Sequence, residues 1–135
     1  MPIDAASILQ TFAVLKPDLG VDRVPAGPEL YEALDRDYDS FKGHSLVAVH
    51  DFSAAWSGWE RHPAGDEIVM LLSGKTTMAI KTDKGVARVL LSEPGAYVVV
   101  PRGAWHRAEP DLPSRLLFVT PGEGTEHSTA LNEAF

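Results

Sequence analysis

Residues Gly58–Gly74 read GWERHPAGDEIVMLLSG. Three groups that are costly to bury, Glu60, His62 and Glu67, stand here directly against an aliphatic run with the character of core. Side chains of an extended strand alternate between faces, so Glu60 and His62 point to the same side. Pro63, Ala64 and Gly65 turn the chain back, and Glu67 begins the next strand, where it can meet the same space. Either a metal ion or polar ligand compensates these groups, or they sit at a wet rim.

The chain around this stretch has the same texture. From His44 onward it consists of short β-rich runs: HSLVAVHDF, GWERH, DEIVMLLS, TTMAIKT, VARVLLS, AYVVVP, AWHRAE and SRLLFVT. The separators PAG, SGK, DKG, EPG and RG all contain a glycine able to take positive φ. Closely spaced strands with no helices between them predict an all-β, antiparallel sandwich or barrel over residues 44–121. Residues 1–43 read as a helical segment packed on that barrel, and 122–135 as a tail. Within the front, Ile8, Leu9, Phe12 and Leu15 lie at helical spacing behind Asp4, which predicts a first helix. KPDLGVDRVPAGP reads as a loop, and PELYEALDRDY as a second helix with Pro28 at its start and Leu30, Leu34 and Tyr38 on one face. EIVMLL and AYVVV are apolar at both parities, so their outer face calls for cover by the helices or by a second subunit; a homodimer is expected.

Composition narrows the function classes. The 135 residues form a single domain by length and contain no cysteine, which excludes disulfides, thiolate metal sites and a cysteine nucleophile. A formal net charge of -7, with scattered basic residues, argues against nucleic acid or an anionic membrane as partner. Neither a signal peptide nor a membrane-spanning run is recognised, so a cytoplasmic location is expected. PGEGT at Pro121 lacks the Lys-Ser/Thr ending of a phosphate loop, and Pro63 and Gly65 rule out a helical zinc-protease motif.

A second stretch, GAYVVVPRGAWH from Gly95 to His106, places Pro101, Gly103 and His106 at fixed intervals after the glycine. With ERHPAGDEIVMLLSG it resembles the paired motifs of the cupin superfamily, over roughly residues 46–120. Motif two fits fully up to His106, although Pro110 stands where the family usually has Asn. In motif one, His62, Glu67 and Gly74 fit, while Glu60 occupies the position of the first His. The resemblance implies a double-stranded β-helix (jelly-roll) barrel with short N-terminal helices. It also implies one divalent ion held by Glu60, His62, Glu67 and His106. That mixed nitrogen and oxygen set suits Fe, Mn, Zn or Ni. Glu60 has an alternative use, as an ion-pair partner of Arg61 or Arg107.

His44, His50 and His127 lack such a context and read as ordinary histidines. Trp56, Trp59 and Trp105 read as packing, and Arg107, next to His106, faces the other side. Two functions follow. One is a metal-dependent enzyme, of dioxygenase or isomerase type, acting on a small organic substrate. The other is a non-catalytic cupin that binds a small ligand or acts as a sensor.

Overall fold

The computed structural model describes residues 3–130. Its elements are β1 (Thr11–Leu15), β2 (Val21–Pro25), α1 (Leu30–Asp37), a 3-10 turn (Asp39–Phe41), β3 (Ser45–Phe52), β4 (Trp59–Arg61), β5 (Glu67–Thr82), β6 (Gly85–Leu91), β7 (Tyr97–Val100), β8 (His106–Thr120) and β9 (Glu126–Ser128). All strand pairings are antiparallel, and the all-β expectation holds.

The front of the chain departs from expectation. The first predicted helix is instead strand β1, and the predicted loop after it contributes β2, its hairpin partner from Thr11↔Pro25 to Leu15↔Val21. TFAVL satisfies both periods, because Phe12 and Leu15 fit a helical stripe while Phe12 and Val14 alternate as in a strand. Pairing of Ala13 with Val47 in β3 decides the matter: an extended segment gains a ladder that a helix there could not. The second helix forms as α1, two residues after Pro28, burying Leu30 and Leu34. Those leucines pack with Phe12, Val14, Phe41, Leu46 and Ala48 as one apolar cluster.

The barrel cluster is separate and centres on Val69, Leu71, Met78, Ile80, Leu116 and Phe118. Two pairs of predicted strands prove continuous. DEIVMLLS and TTMAIKT join as β5, and AWHRAE and SRLLFVT join as β8. The two long strands pair with each other from Ile68↔Val119 to Ile80↔His106, with register shifts between Leu71 and Thr76. The apparent turn residues are therefore bulges at which a doubled strand bends, and such bends close a barrel.

Gly74 is the tightest point of that corner. Its φ is +90, and a Cβ there would collide with the Pro113 carbonyl and lie 2.5 Å from Ser114 Oγ. Ser114 Oγ cannot retreat freely, since it accepts from Lys75 N–H at 3.0 Å and its one hydroxyl hydrogen is donated to the Leu112 carbonyl at 2.7 Å. Gly74→Ala is expected to cost about 2–4 kcal/mol, combining backbone strain with overpacking. A urea unfolding curve would read this, and a variant as stable as the parent would show that the corner is not rigid.

Candidate metal centre

Pairing of short strands assembles the site. Glu60 of β4 lies opposite His106 of β8 on one side and opposite His127 of β9 on the other. His62 follows β4, two residues on and on the same face as Glu60, and Glu67 opens β5. The two sequence motifs are also tied backbone to backbone. Gly103 N–H donates to the His62 carbonyl at 3.0 Å, and Arg102 N–H to Asp66 Oδ1 at 2.8 Å.

All four predicted residues meet. Glu60, His62 and His106 each offer a ligand atom, and these atoms lie within 4.8 Å of one another. Glu67 approaches His62 Nε2 at 3.1 Å and His106 Nε2 at 3.0 Å. Glu60 stands 3.6 Å from both. His62, Glu67 and His106 are buried, whereas the Glu60 side chain is 20% exposed and marks the open side. The alternative partners of Glu60 are engaged elsewhere, Arg61 with Glu126 and Arg107 with Glu109.

The outer nitrogens of both imidazoles are pinned. Thr125 Oγ1 donates to the Gly122 carbonyl, so it accepts from His62 Nδ1–H at 2.8 Å. His106 Nδ1–H donates to the Ala104 carbonyl at 2.9 Å. Both Nε2 atoms are thereby turned inward, the arrangement by which outer partners orient metal-ligating histidines. Thr120 donates to Glu67 Oε2 at 2.6 Å and leaves Oε1 free. His62 Nε2, His106 Nε2 and Glu67 Oε1 are buried without a hydrogen-bond partner among the described residues. Two imidazole nitrogens and two carboxylates converge here, Glu67 at 3.0–3.1 Å from both Nε2 atoms and the ligand atoms of Glu60, His62 and His106 within 4.8 Å of one another. Such a nitrogen and oxygen set fits a divalent ion.

Without an ion, the charges couple strongly. Burial pushes both imidazoles down, but Glu60 and Glu67 beside them outweigh it and bring each up to about 9. Burial likewise pushes the carboxyl groups of Glu60 and Glu67 up, and the two imidazoles hold both well below the usual carboxylate range. The site therefore holds protons where a cation would sit.

Sequence reasoning missed several contributors. Thr120 and Thr125 carry no signal of their own, since a hydroxyl that orients a ligand looks like any strand or turn threonine. His127, read as an ordinary histidine, approaches Glu60 at 3.1 Å because β9 forms within the predicted tail and pairs with β4. Residues 131–135 of that tail lie outside the described residues. Trp56, read as packing, has its ring 6.1 Å from that of His106. Arg107 faces away as expected, over the Trp59 ring at 4.9 Å.

No protein-family model matches the chain, and no curated protein matches it by sequence. Solved structures do. Recombinant oxalate oxidase in complex with glycolate aligns with a TM-score of 0.52 at 18% identity, over 61% of this chain and 45% of that one. The E162A mutant of Bacillus subtilis oxalate decarboxylase aligns at 0.51 and 22% identity, over 64% of this chain and 24% of that one. A cupin-2 domain containing protein from Shewanella frigidimarina aligns at 0.49 and 17% identity, over 57% and 70%. The chain spans less than half the length of the two enzymes, and the likeness is one of fold. The barrel has the double-stranded β-helix fold of the two oxalate enzymes, the cupin barrel.

Proposed function

Proceeding from that cupin barrel, we propose that the protein binds one divalent ion through Glu60, His62, Glu67 and His106 and is a metal-dependent enzyme of dioxygenase or isomerase type, acting on a small organic substrate. One observation carries the reading: His62 Nε2, His106 Nε2 and Glu67 Oε1 are buried against one another's charges without a hydrogen bond among the described residues, while the opposite atom of each group is satisfied.

When bound, a divalent ion in such a set supplies Lewis acidity and, if redox-active, the means to activate dioxygen. The chain's own residues hold and orient. Thr125 and the Ala104 carbonyl fix the imidazole tautomers, Thr120 fixes the carboxylate of Glu67, and Glu60 covers the open side. The buried wall around them excludes water from the ligand atoms. The dimer proposed with this reading would cover Leu90, Tyr97 and Val99, exposed on β6 and β7. No helix among the described residues is long and apolar enough to cross a membrane.

The test is calorimetric titration of metal-stripped protein with Mn(II) at pH 7, repeated in buffers of different ionisation enthalpy. One ion per chain is expected, with release of about two protons, because His62 and His106 are both protonated below about 9 and must lose Nε2–H to ligate. Absence of binding for Mn(II), Fe(II), Zn(II) and Ni(II) alike would end the proposal. Binding without turnover of any substrate would favour the non-catalytic cupin.

A further inference from the structure

The inner wall beside the metal centre has a composition of its own. Inward positions of β3, β5, β7 and β8 alternate with outward ones, and none of the inward positions is Lys or Arg. A line of rings leads to the centre instead. His50 lies 5.9 Å from Phe118 and 6.2 Å from Phe52, each centroid to centroid. Trp56 packs 5.5 Å from Phe52, 6.2 Å from Phe118 and 6.1 Å from His106.

Within that wall one donor is unmatched. The Trp56 indole N–H is buried and has no acceptor among the described residues. A buried donor without a partner is destabilising, and native proteins rarely retain one unless a ligand or ordered water completes it. His50 adds a second polar group on the same wall, and burial pushes its imidazole down, so it is neutral at pH 7.

Charge then limits what can sit there. A divalent ion with Glu60 and Glu67 sums to zero. A dianion such as a dicarboxylate would add two negative charges beside a wall whose inward positions on β3, β5, β7 and β8 carry no Lys or Arg, which is strongly unfavourable. A flat ring with one ionisable hydroxyl adds at most one charge, which the ion itself can face. Stacking on aromatic rings suits its body, and a second oxygen can accept from an indole N–H.

Resting on the metal-binding reading, we propose that the inner wall of the site binds a small, flat ligand of the phenol class, seated on Phe52, Trp56 and Phe118, with a ring oxygen accepting from the Trp56 indole N–H. The class follows from this chain's own wall, which offers rings and an indole N–H and no Lys or Arg at the inward positions of β3, β5, β7 and β8.

The test uses Zn(II)-loaded protein, which is redox-inert, with catechol and malonate as probes in separate calorimetric titrations at pH 7. Zinc content is measured first by elemental analysis. Catechol is expected to bind at least tenfold more tightly than malonate. Trp56→Phe, which keeps a ring and removes the N–H, is expected to weaken catechol about fivefold while still loading one zinc per chain. Malonate binding as tight as catechol to zinc-loaded protein overturns the ligand class and leaves the metal reading standing. Unchanged catechol affinity in folded, zinc-loaded Trp56→Phe overturns the role of the indole. Failure of zinc to bind the parent protein overturns the metal reading, and this inference with it. The comparison of catechol with malonate is made on the parent, so it stands even if the variant misfolds.

Discussion

His106→Ala is expected to abolish metal binding, taking one ion per chain to none at micromolar metal. His106 is fully buried, its Nδ1–H is committed to the Ala104 carbonyl, and its Nε2 faces both carboxylates. Ala108, the next inward position on β8, carries no ligand atom, and His127 lies on the outer, exposed side of Glu60. Loss of a partner that merely orients a ligand costs roughly 10- to 100-fold in affinity, so loss of a ligand itself should exceed about a hundredfold. The variant also leaves Glu67 with one imidazole instead of two, which should lower stability by a few kcal/mol. His44→Ala is the control, since His44 bonds the Lys42 carbonyl and lies outside the cluster. Equal metal content in parent, His106→Ala and His44→Ala would remove the four-residue centre from consideration.

The second large effect is an inversion of pH dependence on metal loading. In the metal-free protein the folded pKa of His62 and of His106 is about 9, above the ordinary value of 6.5. The folded state then holds more protons than the unfolded state between those values. Their contribution is fully present below about pH 6.5 and is lost as pH rises through about 9. Glu60 and Glu67 act in the opposite sense, because their folded pKa values are depressed. Their contribution is present above the ordinary carboxylate range and is lost only as pH falls through the lower folded values. Metal-free protein should therefore lose stability from pH 6.5 to 9.

Each pKa unit is worth about 1.4 kcal/mol, and the two imidazoles share the same two carboxylates, so the loss is on the order of 3 kcal/mol for the pair. With Mn(II) present the slope should reverse. The ion replaces the Nε2 protons, binding tightens as they become easier to remove, and the folded state gains by mass action. Urea midpoints at pH 6.5 and 8.5, with chelator and with excess Mn(II), would show the crossing. Parallel slopes in the two series would mean that ion and protons do not compete for the same atoms.

Much of the centre is legible along the chain because strand alternation is local. Glu60 and His62 share a face whatever the strand pairs with, and the turn through Pro63 and Gly65 returns Glu67 to that face at the same depth. The interval from Gly95 to His106 likewise describes one strand, one turn and the start of another. Folding adds the bonds from Gly103 and Arg102 that lock the two stretches together.

The remainder depended on partners remote in sequence. TFAVL is strand rather than helix because β2 and β3 flank it, and nothing within those residues distinguishes the two periods. β5 and β8 run through their glycine and proline breaks because each bend meets the other across the corner at Gly74 and Ser114. Residues 126–128 become a strand only because β4 presents an edge, and that pairing carries His127 to Glu60. The Thr125 bond to His62 joins positions 63 residues apart. Which face a side chain takes is set by the geometry of its own strand and can be read locally. Which groups orient it, and whether its charge is met by a proton, an arginine or an ion, depends on the neighbours that long-range pairing brings into contact.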